Sequence, residues 1–331
     1  MKSQAVILLF ISFFALHFML LSPAKAQGFD VGIYPPIIQA QVTPPTEVKI
    51  PIYLENFQDQ SIDLSISLRP FRNLPSENGE LEFINNPELA DPFINQEITV
   101  LNNNIAIDSI TLSPKQKKQL TLAFKIPNNE PKGDYYFSLT FTSANQNLSG
   151  SNGSQTIGGI ASNILLTVGP IGKTQGRLEE FSAPKFISKG PLPFTVKLRN
   201  TSDHFISPTG NIVISNIFGQ NVGKINLLQV NLLAGSIRRI PDNLQADVSK
   251  KDYQKIKTVV ENSIYPVAVW PEMFLLGPYK ATLSLSLSEN GPIFTRAVYF
   301  FAFPVEYVLG ILITIGIIIF IAIKIKRKIP R

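Results

Sequence analysis

A two-residue rhythm of apolar and polar side chains limits most strongly what this chain can fold into. Residues 194–199 (FTVKLR) and 281–288 (ATLSLSLS) keep it without a fault, and residues 62–68, 120–124 and 135–141 keep it in part. Successive side chains of a strand point to opposite faces, so this rhythm describes strands with one buried and one wet face. Proline is abundant, 25 in 331 residues, and falls mostly between the runs, where its missing N–H does not interrupt a ladder. Many short strands separated by turn signals predict an all-β chain built of β-sandwiches. The runs suffice for two domains, residues 27–170 and 171–304, divided at Gly169-Pro170-Ile171-Gly172. The chain has no cysteine, so disulfides cannot staple either domain and each must hold by its core.

Both ends depart from this rhythm. Residues 5–21 are almost wholly apolar behind Lys2 and lead into Ser22-Pro23-Ala24-Lys25-Ala26. That is the layout of a secretory signal peptide over residues 1–26, with an uncleaved signal anchor as the alternative. Residues 307–323 (YVLGILITIGIIIFIAI) carry no charge. As a helix they would span about 26 Å, the short end of what a bilayer core accepts. Lys324, Lys326, Arg327 and Lys328 follow as a stop-transfer cluster. The expectation is one transmembrane helix at 305–323, a cytoplasmic tail at 324–331, and the bulk of the chain on the outer face of a cell membrane.

The net charge of +6 reflects this layout. Residues 27–170 hold 8 basic and 14 acidic residues, and residues 171–305 hold 15 and 9, so the exported part is neutral overall. Basicity therefore does not point to a nucleic-acid partner. The domain expected beside the membrane is the basic one, and the acidic domain is outermost.

Three stretches break the strand pattern. Residues 73–104 carry six acidic residues and no Lys or Arg, and residues 143–155 form a polar loop. Within 241–266, Lys250, Lys251, Lys255 and Lys257 alternate with Tyr253, Ile256, Val259 and Val260 at the spacing of a short amphipathic helix. The last strand, from Ile293 to about Phe303, has to run toward the bilayer, and the strand before it pairs back across the turn at 288–292. That places the start of the earlier strand near the headgroups. Trp270, Phe274 and Leu275, with Lys250, Lys251, Lys255 and Lys257, are thus candidate membrane-surface contacts. The same residues would also serve as a core plug beside a solvated lysine face.

Little in the sequence can carry chemistry. A zinc site needs several His or Cys ligands, and behind the signal only His204 remains. Asp203 adjoins it, but neighbours in a strand point apart and the segment reads as a loop after a strand, so a nucleophilic triad is not expected. Glu77, Glu80, Glu82, Glu88 and Asp91 could supply oxygens to calcium, yet they lack the regular spacing of a calcium loop. No catalytic residue, metal or cofactor is assigned. Lys115, Lys117 and Lys118 stand before a strand as a candidate glycan contact, with a polar turn as the plain alternative.

The punctuation between strands resembles a known family. Tyr34-Pro35-Pro36, Leu112-Ser113-Pro114, Lys132-Gly133-Asp134-Tyr135-Tyr136, Leu198-Arg199-Asn200-Thr201, Ala234-Gly235-Ser236 and Gly277-Pro278-Tyr279 are similar to stretches of the bacterial WxL-interacting proteins and related membrane-anchored surface proteins. The resemblance implies two immunoglobulin-like sandwiches, the first binding peptidoglycan and the second a surface protein, with no enzymatic activity. The insert at 241–266 departs from the family pattern, which puts the second domain's partner in question. Two other roles stay open. One is a structural subunit of a larger membrane complex. The other is strand capture by the first domain, which also resembles periplasmic pilus chaperones.

Overall fold

The computed structural model describes residues 29–86, 91–143, 158–243, 250–289 and 291–328. The expected signal peptide lies outside them, as do Glu88 and most of the polar loop at 143–155. The first set of strands is β1 (Val31–Tyr34), β2 (Ile37–Val42), β3 (Thr46–Asn56), β4 (Ile62–Asn73), β5 (Leu81–Phe83), β6 (Ile98–Asn102), β7 (Ile105–Ala106), β8 (Ser109–Leu112), β9 (Lys117–Ile126), β10 (Gly133–Ser143) and β11 (Gly159–Val168). They form two sheets, one ordered β1-β3-β9-β6-β7 and the other β2-β11-β10-β4-β5 with β8 beside β4. Helix α1 (Pro92–Gln96) sits in the acidic stretch, where Asp91 caps it by accepting from Phe93 N at 3.0 Å. The inward residues of the alternating strands, among them Leu54, Leu122, Phe124, Phe137, Leu139 and Ile164, meet as one core between the sheets.

The second set follows Gly169. It comprises β12 (Gly176–Ser182), β13 (Phe186–Ile187), β14 (Leu192–Asn200), β15 (Thr209–Asn216), β16 (Asn221–Asn226), β17 (Ile237–Arg239), β18 (Ala268–Trp270), β19 (Gly277–Ser286) and β20 (Ile293–Ala302). One sheet runs β12-β14-β17 with β18 also on β14, and the other runs β13-β20-β19-β15-β16. β14 shows what the rhythm does: Leu192, Phe194, Val196 and Leu198 are buried, while Pro193, Thr195, Lys197 and Arg199 between them are not. A separate core forms from these residues together with Ile212, Leu283, Leu285 and Trp270.

Helix α2 (Lys250–Glu261) lies in the expected insert and lays Ile256 on Val267 and Val269. Helix α3 (Val305–Lys328) leaves β20 after a short link and exposes apolar side chains from Leu309 to Ile323. Taken over the described residues alone, no helix is long and apolar enough to cross a membrane. The side chains of Ala322 and of residues 325–328 lie outside that description. The span expected at 305–323 thus stands as a proposal.

Candidate functional site

How the two sandwiches meet decides which surfaces are open. The seam is built on the outer face of the β2-β11-β10-β4-β5 sheet, where Phe71 and Leu165 are buried against Leu233, with Tyr136 and Phe205 beside them. Phe71 and Tyr136 stack with ring centres 6.1 Å apart. Asp134 accepts from the Tyr136 hydroxyl and from Phe205 N, both at 2.5 Å, so a first-sandwich carboxylate grips second-sandwich backbone. Burial, then this bond to Asp134, raises the Tyr136 phenol above its ordinary range. The loop after β4 reaches across the seam. Glu77 accepts from Lys197 Nζ at 2.9 Å and from Arg239 Nε at 2.6 Å, and its backbone oxygen accepts from Arg239 N. The bonds from Arg239 and then Lys197 hold its carboxyl below the usual carboxylate range. A cavity of about 330 Å³ remains beside this contact, lined by Ile37, Leu81, Val230 and Arg238 among others.

With one sheet of the first sandwich covered, the outer face of the other is its free broad surface. Register lines up its side chains. Tyr34 stands opposite Tyr53, Tyr53 opposite Gln119, and Glu55 opposite Lys117. Thr121 opposes Pro51, and Thr99 opposes Ala123, further along the same face. Tyr34 is 66% exposed, and the Lys117 ammonium lies 5.6 Å from the Tyr53 ring centre. The result is a polar strip of aromatic, amide and hydroxyl groups with charges of both signs.

Residues 39–143 match the family model described as WxL Interacting Protein, peptidoglycan binding domain. The first domain is thus similar to that of the WxL-interacting proteins. The match takes in Tyr53, Lys117 and Gln119 of the open face and Phe71 and Asp134 of the seam. No curated protein matches the chain. Among solved structures, the YadV chaperone is 8% identical, with 82% of this chain and 100% of that one covered, at a TM-score of 0.37. The E. coli chaperone DraB is 9% identical, with 81% and 96% covered, at 0.36. The Salmonella enterica SafA pilin in complex with the SafB chaperone gives 9%, 82%, 98% and 0.36. At that level of similarity nothing passes from them to this chain.

In the first domain the three candidate lysines stand apart. Lys115 sits in a turn with a positive φ of 56°, donates to the Phe57 carbonyl and pairs with Asp59 at 3.0 Å. Lys117 and Lys118 follow each other in β9, so they point to opposite faces, and only Lys117 joins the open strip. The acidic stretch is likewise dispersed: Glu77 serves the seam, Glu82 pairs with Arg72, and Asp91 caps α1. Among the described residues no group of three His, Cys, Asp or Glu could hold a metal ion.

The membrane-surface candidates are corrected in part. Trp270 is 5% exposed and packs edge-on against Tyr279 and Phe300, and Leu275 is 1% exposed, so both belong to the second core. β18 pairs antiparallel with the first residues of β14, which carries Trp270 inward. Phe274 alone of the three faces out, with its ring 5.9 Å from that of Tyr307. Lys257 pairs with Glu261 on its own helix at 3.6 Å. The chain leaving α2 brings Tyr265 under the Arg239 guanidinium, 4.5 Å away, beside the seam. Seam and α3 lie at opposite ends of the sandwich; Tyr265 lies toward the seam, while Ile256 of α2 packs on Val267 and on Val269 of β18, the strand paired with the first residues of β14. The side chains of Lys250, Lys251, Lys255, Lys326, Arg327 and Lys328 lie outside the described residues; Lys324 is exposed on α3.

His204 lies in the loop expected after the strand, where Asp203 Oδ1 reaches its Nδ1 at 2.8 Å and Thr174 Oγ1 lies 3.3 Å from its Nε2. The imidazole is buried and ties Thr174 of the linker to the second sandwich.

Proposed function

We propose that this chain is a non-enzymatic envelope-binding protein whose first sandwich holds a peptidoglycan-class polymer on its open sheet. The match of residues 39–143 to a peptidoglycan-binding family carries the reading. The open face suits such a ligand. Sugar rings present apolar C–H faces that settle on exposed tyrosines, and their hydroxyl and amide groups pair with Gln119, Thr121 and Lys117. The second sandwich occupies the opposite sheet, so polymer bound on this strip would meet no steric conflict.

The chain is further proposed to be exported and held by α3 as a single membrane span, with both sandwiches outside and the Lys324–Arg331 tail in the cytoplasm. What supports this is the uncharged run at 307–323, the basic flank behind it and the signal-like residues 1–26. The test is retention of the full chain on purified cell-wall fragments. Tyr34→Ala with Tyr53→Ala should lower retention about tenfold, as loss of two aromatic anchors does, with the unfolding transition unmoved. Retention equal to that of the parent chain would sink the site.

A further inference from the structure

The end of the second sandwich that faces away from the seam carries an apolar collar around the start of α3, and strand register places every part of it. β20 runs straight toward α3. Gly277 opposes Ala302 and Tyr279 opposes Phe300, so the start of β19 lies at that end. Asn216 opposes Tyr279, which brings the hairpin tip formed by Ile217 and Phe218 there too. Phe186 opposes Phe301, adding β13. The Lys189 ammonium lies 2.9 Å from both carboxylate oxygens of Glu306, and the Phe274 ring meets Tyr307, so two more loops close on the helix.

At this end Phe186, Ile217, Phe218, Phe274, Leu276 and Phe301 are all exposed, Phe218 to 83%. Scattered apolar residues need no explanation, but six converging from separate segments on one end form a contact surface. None of them belongs to either core. They surround the first turn of a helix whose own apolar side chains face outward on all sides. We propose that this collar sits in the interfacial layer of the membrane crossed by α3. The hairpin tip at 217–218 is inserted among the headgroups, so the sandwich stands upright on the lipid rather than swinging from its link. The inference rests on the reading of α3 as a membrane span. Lys185, Lys189 and Lys280 flank the apolar tips and suit an anionic surface; Lys189 pairs with Glu306, and Glu272 is an acidic group at the same end.

Trp270 gives the test a built-in reference, since it is the only tryptophan and is buried. The full chain is reconstituted in vesicles of phosphatidylcholine and phosphatidylglycerol whose acyl chains are brominated near the headgroup or near the bilayer centre. The added emission of Phe218→Trp should be lost to the shallow bromines and that of Leu312→Trp to the deep ones, while the parent chain's emission stays. Loss for Leu312→Trp without loss for Phe218→Trp overturns the collar and leaves the anchor standing. Loss for neither overturns both. Loss of the parent chain's own emission also overturns the collar, because lipid would then reach the core rather than the tip.

Discussion

The two sandwiches close one corner in the same way and use it differently. At the end of β3, the Asn56 side-chain amide donates to the carbonyls of Gln60, Leu112 and Ser113, and its oxygen accepts from Gln58 N. At the end of β14, the Asn200 amide donates to His204, Leu232 and Leu233, and its oxygen accepts from Ser202 N. Both asparagines are fully buried. Both backbone nitrogens donate at 2.9 Å, to Gln116 O and Ser236 O. In the first sandwich the turn so pinned, residues 113–116, faces solvent. In the second, residues 233–236 lie under the first sandwich, where Leu233 is buried and Ala234 N donates to the Tyr136 hydroxyl. One polar device thus sets a turn geometry in both, and only the neighbouring surface decides whether that turn becomes an interface.

The largest expected effect comes from removing the device. Asn56→Ala and Asn200→Ala each strand buried carbonyls that had a donor, a loss of about 3–4 kcal/mol. Denaturant unfolding of the full chain should show each variant lowering the transition of its own sandwich. If the corners are equivalent, the two losses agree within about 1 kcal/mol after the seam is weakened in both backgrounds. A loss at one site below about 1 kcal/mol would break the equivalence, since a buried amide with this many bonds cannot be removed so cheaply.

The next effect separates corner from seam. Glu77 touches Lys197 and Arg239, on the strands that flank the second corner. Glu77→Gln should cost about 1–2 kcal/mol at pH 7, the scale of hydrogen bonds to charged groups. Because the folded carboxyl is held below its ordinary range, that stability is full above the unfolded value and is lost as pH falls through the depressed one. The gap between variant and parent should therefore close below about pH 4. A gap that persists in acid would mean that it does not come from the carboxylate's charge; no gap at pH 7 would leave the loop to the backbone bond from Arg239 N, which both chains keep.

Much of this was open to sequence reading, and the rest was hidden for identifiable reasons. The alternation in residues 194–199 and 281–288 marks β14 and β19 because period two has one structural meaning, and the spacing at 250–261 marks α2 for the same reason. The paired corners also left a trace: an alternating run ends in Asn56-Phe57-Gln58-Asp59 and again in Asn200-Thr201-Ser202-Asp203. Trp270 stays open between core and lipid in the sequence because three strand residues beside proline look the same in either place. Only pairing with Leu192 turns the ring inward. The lysines of Lys115, Lys117 and Lys118 look like one patch until β9 sends neighbours to opposite faces. Tyr34 and Tyr53 stand 19 positions apart, so their adjacency is a product of register that no local pattern reveals.

The smallest effect concerns the turn residue itself. Lys115 and Gly235 occupy equivalent places, with φ of 56° and 72°. Glycine tolerates that conformation, whereas a side chain costs roughly 1 kcal/mol there. A Cβ at Gly235 would touch nothing, so Gly235→Ala should lose only about that amount. In the reverse direction, Lys115→Gly relieves the strain, but it frees the unfolded chain and gives up the exposed contacts to Phe57 and Asp59. These terms nearly cancel, and stability should move by less than about 0.5 kcal/mol. A clear gain would show that the lysine's contacts count for nothing in solution. A clear loss would show that the ammonium, rather than the backbone, holds the solvent-facing copy of this turn in place.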